Sequence, residues 1–144
     1  MSDAIATANK QLVRRFYEEV YGDWNMMLVD EVVSPRFVSH DWPEDGSIGP
    51  QGFRVFYAAI RTALPDARYE VDDLISEADK VVVRWRLLGT HLGDFRGIAP
   101  SGRAITLEGI AIYRVAGGRL VERWVVTDLY GVLQESDASL LAEG

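Results

Sequence analysis

The sequence predicts an α+β domain, three helices followed by a long antiparallel sheet, and three observations carry that reading. Apolar residues recur at steps of three and four as far as Leu64, then at steps of two from Tyr69, and the turns between the later segments are short. A sheet of that length can curl around a helical layer and leave a conical cavity, the usual place for a ligand.

The first helix carries Ile5, Leu12, Val13, Phe16, Tyr17, Val20 and Tyr21 on one face and ends near Gly22. Asp23 is positioned to cap a second, shorter helix with Met27, Leu28 and Val32, which Pro35 stops. The polar stretch from Ser39 to Gly52 is rich in turn formers and reads as an irregular loop over a surface or cavity mouth. A third helix begins near Pro50 and presents Phe53, Phe56, Tyr57, Ile60 and Leu64 until Pro65 breaks it. Strands are expected over 69–76, 80–92, 103–115 and 119–130. Their short connections make neighbours antiparallel, because a parallel crossover needs a dozen or more residues. The tail after Gln134 reads as a short helical turn or frayed end.

At 144 residues the chain is expected to form one domain, residues 1–144. It contains no cysteine, which excludes thiolate catalysis, cysteine-ligated zinc and disulfide scaffolds. A formal charge of −7 repels phosphate backbones and anionic membranes, so neither nucleic acid nor membrane is an expected partner. The start lacks the pattern of a secretory signal, and a cytoplasmic location is expected. There is no G-x-G-x-x-G, no P-loop and no H-E-x-x-H, so no cofactor and no metal are expected.

The segments FVSHDWPEDGSIGPQGF, ALPDARYEVDDLISEADKVVVRW and GTHLGDFRGIAPSGRAITLEGIAIYRVAGGRLVERW occur together in order. Over about residues 8–135 the chain closely resembles the SnoaL-like polyketide cyclases, of the superfamily named after nuclear transport factor two. The resemblance implies an α+β cone with an internal cavity, a homodimer, and a cofactor-independent enzyme of secondary metabolism acting on a hydrophobic small molecule. In that family an aspartate on the last strand moves the proton, and a glutamine and a histidine on the preceding strand help bind the substrate. Alignment through SGR and GGR places those positions at Val125, Gly109 and Ala111, so the family's polar residues are missing here. A wall with Gly109, Ala111 and Val125 is expected to be apolar and widened, suited to a bulky substrate.

The remaining candidates must then supply the chemistry. Asp128 interrupts an apolar strand end, and many relatives carry an acid there; it is either a buried proton acceptor or a cap for the turn at Gly131. His40 and Asp41 are adjacent in the polar loop, where both could reach one ligand, His40 with a side chain suited to proton transfer near neutral pH. Arg123 shares parity with Val125 and either holds a substrate oxygen or pairs with Glu108 across the strands. Tyr113, Trp42 and Trp124 are candidate ligand contacts or interface residues, and His91 is expected to bond the 93–102 loop. Acid/base ring closure or isomerisation, or simple folding of a reactive substrate, is the expected activity. The competing expectation is a non-catalytic module that binds a hydrophobic ligand.

Overall fold

The computed structural model describes residues 2–22, 24–41 and 48–136. Helix α1 (Ser2–Arg15) runs into a π-helical segment, Phe16–Gly22, whose buried face is Phe16, Tyr17, Val20 and Tyr21. π-Helical turns are uncommon and gather at functional sites. A short α2 (Met27–Val32) leads directly into β1 (Val33–Ser39), and α3 spans Gly49–Ala63 with Pro50 in its first turn. Then come β2 (Arg68–Glu77), β3 (Lys80–Thr90), β4 (Ala104–Ala116), β5 (Arg119–Thr127) and α4 (Leu129–Ser136).

The sheet order is β1-β5-β4-β3-β2, with β2 to β5 an antiparallel meander as the turn lengths predict. Strand β1 is a departure from the sequence reading. It joins the edge parallel to β5, with Ser39 opposite Arg123 and an irregular register between Val33 and Val38. Pro35 hid it, yet proline is tolerated on an edge strand where no ladder bond is needed from its nitrogen. The start of α3 presses on this strand: Gly49 sits at φ 69°, and a Cβ there would fall 3.1 Å from the Pro35 carbonyl carbon. The last strand also stops earlier than expected, at Thr127, because the chain turns into α4. The proposed cap Asp23 lies outside the described residues.

Burial along β4 alternates strictly at its start, with Ile105, Leu107, Gly109, Ala111 and Tyr113 facing the helices, as the period of two requires. Phe16, Phe53, Tyr57 and Ile60 cover that concave face. The opposite face carries charge, with Arg84 on Asp73 at 2.6 Å and Arg86 on Asp72 at 2.8 Å. No helix among the described residues is long and apolar enough to cross a membrane.

Candidate functional site

The concave face closes around a cavity of about 40 Å³, room for a few waters or for the oxygen-bearing end of a larger molecule. Tyr17 and Tyr21 reach it from the π-helical segment, Tyr69 from β2, Trp85 from β3, and Arg123 and Val125 from β5. Phe56, Ile60, Leu87, Thr127, Leu129 and Asp41 complete the lining. The expected widened, largely apolar wall is therefore corrected: the interior is small, and Tyr17, Tyr21, Tyr69, Asp41 and Arg123 bring polar groups to it.

Arg123 is the centre of this arrangement, 5% exposed. Its Nε donates to Ser39 Oγ at 2.8 Å, Nη1 donates to Tyr21 Oη at 3.1 Å, and Nη2 lies 3.5 Å from Asp41 Oδ1. Nη1 also lies 3.5 Å from Tyr113 Oη, which in turn is 2.9 Å from Tyr17 Oη. The guanidinium stands 4.9 Å from the centre of the Phe53 ring, a geometry in which the ring face favours the cation. The Ser39 hydroxyl in turn donates a hydrogen bond to Asp41 Oδ1, which makes a chain from guanidinium to serine to the aspartate.

Protonation states follow from burial. Desolvation pushes the Tyr17, Tyr21 and Tyr69 hydroxyls well up from the ordinary phenol range, so at neutral pH they are hydrogen-bond donors and not phenolates. Tyr57, whose hydroxyl donates to the Tyr21 carbonyl, is pushed up to about 12, mainly by burial. For Arg123 burial opposes the charge, but its neighbours Tyr21, Tyr113 and Asp41 outweigh it and raise the group above the ordinary guanidinium range. A fixed cation and the Asp41 side chain share one small cavity with protonated hydroxyls.

The contacts decide where the adjacent pair His40-Asp41 goes in the turn after β1: Ser39 and Asp41 reach Arg123, Asp41 lines the cavity, and His40 turns away from it to the outer face. There His40 Nε2 is 2.7 Å from Glu122 Oε2, and its ring stacks on Trp124 at 5.2 Å. Arg114 Nε donates to the other oxygen of Glu122 at 3.0 Å. The expectation that His40 and Asp41 reach one ligand is therefore corrected, and Trp124 is likewise on the outer face. Glu108 faces outward too, so the alternative pairing of Arg123 with Glu108 is not the one made; Arg123 lies near Asp41.

Asp128 is exposed, and its carboxylate accepts the Gly131 amide at 3.1 Å, the cap that was the alternative to a buried acid. It borders a separate outer hollow of about 420 Å³ with Arg84, Glu108, Ile110 and Val126. Ala111 is buried in the wall, Val125 lines the cavity, and Tyr113 sits behind Arg123. Gly109 does not widen the cavity, because Trp85 fills the space beside it. His91 is fully buried and holds the base of the 93–102 loop by backbone bonds to Arg103 and Gly102, at 2.9 and 2.8 Å. Trp42 lies outside the described residues.

The profile of the family described as SnoaL-like polyketide cyclase matches residues 11–136. The chain belongs to the SnoaL-like polyketide cyclase family. Aklanonic acid methyl ester cyclase AcmA of Streptomyces galilaeus is 28% identical to this SnoaL-like chain over 122 residues, covering 83% of the chain and 81% of AcmA. A structure from Jannaschia sp. CCS1, classed with the SnoaL-like polyketide cyclases, superposes with a TM-score of 0.82 at 28% identity, covering 93% of this chain and 94% of that one. TsrD of Streptomyces laurentii gives 0.80 at 25% identity over 92% and 96%.

Sequence reasoning missed Ser39, Tyr17, Tyr21 and Tyr69 as site residues of this SnoaL-like fold. The tyrosines had a signal: several on core-facing positions must find partners for buried hydroxyls. Ser39 had none, since only the pairing of β1 with β5 sets it opposite Arg123.

Proposed function

We propose that this chain is a cofactor-independent polyketide cyclase of secondary metabolism, closing or isomerising a ring on a hydrophobic substrate by acid/base catalysis in the cavity at Asp41 and Arg123. The single observation that carries the reading is the placement of Asp41 Oδ1 3.5 Å from Arg123 Nη2 on the wall of one cavity. The likeness to AcmA, an aklanonic acid methyl ester cyclase, supports the substrate class.

In this reading Asp41 removes a proton from a carbon next to a carbonyl, and the electron pair moves onto the carbonyl oxygen. Arg123 and the Tyr21 hydroxyl stabilise that enolate oxygen, donors set in place before the charge develops. The enolate carbon attacks a second carbonyl of the same molecule, forming the ring bond, and the resulting alkoxide takes the proton back from Asp41. The Asp41 side chain is 25% exposed, so a substrate's carbon can approach it from the rim. We take the working form to be a cytoplasmic homodimer, to be checked by light scattering.

The test is α-proton exchange of 2-tetralone in deuterated buffer, followed by NMR, with wild type and Asp41→Asn. The expected result is enzyme-dependent exchange that falls by about 10²–10⁴ in the variant, the usual share of a general base. Exchange at the buffer rate with wild type, or equal rates in both proteins, would overturn the acid/base reading.

A further inference from the structure

One side chain of the cavity wall, Trp85, stands outside the acid/base pair. Trp85 and Gly109 are direct partners in the β3–β4 register. A Cβ on Gly109 would lie 2.7 Å from Trp85 Cε2 and 2.8 Å from Cη2, so the six-membered ring of the indole occupies the place of any side chain at 109. The resemblance sets a polar substrate-binding side chain at that position; here the space belongs to an apolar ring from the neighbouring strand.

The indole is also the end of a row of rings. It packs on Tyr69 at 5.5 Å, Tyr69 stacks on Tyr21 at 4.5 Å with 21° between planes, and Tyr21 holds Arg123. Trp85 and Thr127 line both the inner cavity of about 40 Å³ and the outer hollow of about 420 Å³. Trp85 is 5% exposed and packed into the core, so its ring is a fixed stop and not a mobile side chain.

We propose that Trp85, seated in the gap left by Gly109, is the specificity-determining residue of this site. It limits what enters beside Arg123 to an oxygen-bearing group on a single ring, and holds the rest of a fused-ring substrate outside, toward the partly buried Phe56. The proposal rests on the cavity being the reaction site, but it concerns size selection and is tested by binding alone.

The experiment measures by calorimetry the binding of benzoate, 2-naphthoate and anthracene-2-carboxylate to wild type, Trp85→Ala and Trp85→Phe. These probes share one carboxylate for Arg123 and differ by one fused ring each. The expected result is that wild type gains less than threefold in affinity from benzoate to the three-ring acid, while Trp85→Ala binds the three-ring acid at least tenfold tighter than wild type does. Benzoate should change by less than threefold between them. Trp85→Phe, the smaller perturbation of the fold, should show the same preference in weaker form and decides the matter if the alanine variant does not fold. Equal ring-size preference in wild type and the folded variants, a uniform gain for all three acids, or no binding of any probe would overturn the proposal. A ring-size shift in Trp85 variants without tetralone exchange would sink only the acid/base reading; tetralone exchange without a ring-size shift would sink only the role of Trp85.

Discussion

Asp128 accepts the backbone amide hydrogen of Gly131 at 3.1 Å, and its own carbonyl accepts from Val132 at 3.0 Å, so it is the cap on which α4 begins. A carboxylate there satisfies an otherwise unpaired amide and faces the positive end of the helix. Asp128→Ala should cost about 1 kcal/mol of unfolding free energy, the usual loss for a removed cap, as read by urea denaturation. Tetralone exchange should stay at the wild-type rate. A variant of full stability would show that the cap contributes nothing, and lost exchange would return Asp128 to the chemistry.

The difference between the sequence reading and the structure has a physical origin at this corner. Periodicity reports which residues alternate, and it set Arg123 and Val125 on one face, the face that lines the cavity. It cannot report where a strand gives way to a helix when both sides of the junction are apolar, as Val126 and Leu129 are around Asp128. The same limit hid β1, whose pairing partner is more than 80 residues away and whose proline mimics a stop signal. Gly109 was legible as a residue without bulk, but the ring that fills its space comes from another strand and carries no local trace.

Arg123→Met should be among the most damaging single changes in the protein. It removes the donor to Ser39, Tyr21 and Tyr113 and strands Asp41 without its nearest cation. Breaking a buried charged network by deleting one member costs about 3–5 kcal/mol. Arg123→Lys should recover only part of that, since an ammonium lacks the planar fork that reaches Ser39 and Tyr21 together. Urea unfolding of both variants is the check; a methionine variant within about 1 kcal/mol of wild type would contradict the network's importance.

On the outer face, His40 and then Arg114 hold the Glu122 carboxyl below its ordinary value of 4.5. A carboxylate whose folded pKa is depressed contributes stability that is fully present above the unfolded value. That contribution fades as pH falls from about 4.5 through the lower folded value, because the unfolded chain takes up the proton first. Melting curves recorded between pH 3 and 7 should therefore show a steeper acid-side loss for wild type than for Glu122→Gln. His40→Asn should move the Glu122 titration upward, toward the ordinary value, in carboxyl NMR. Superimposable acid limbs for wild type and Glu122→Gln would show that the His40–Glu122–Arg114 contact does not bias folding.

The hydroxyl pair Tyr17–Tyr113 should behave as one unit. Their oxygens are 2.9 Å apart in the core, and Tyr113 also faces Arg123. Tyr113→Phe leaves the Tyr17 hydroxyl facing a ring C–H that cannot take part in its hydrogen bond, in a place where water is scarce, and an unmet buried hydroxyl costs about 1–3 kcal/mol. Tyr17→Phe has the same effect in reverse but spares the Arg123 contact, so it should be the milder of the two. Once either hydroxyl is gone, removing the other deletes a group already without this partner. The double variant should then be more stable than the sum of the single losses predicts, by at least about 0.5 kcal/mol, the coupling expected of contacting groups. Strict additivity in denaturant unfolding would mean that the two hydroxyls do not share a bond, and that Tyr113 serves the site only as the ring beneath the Arg123 guanidinium.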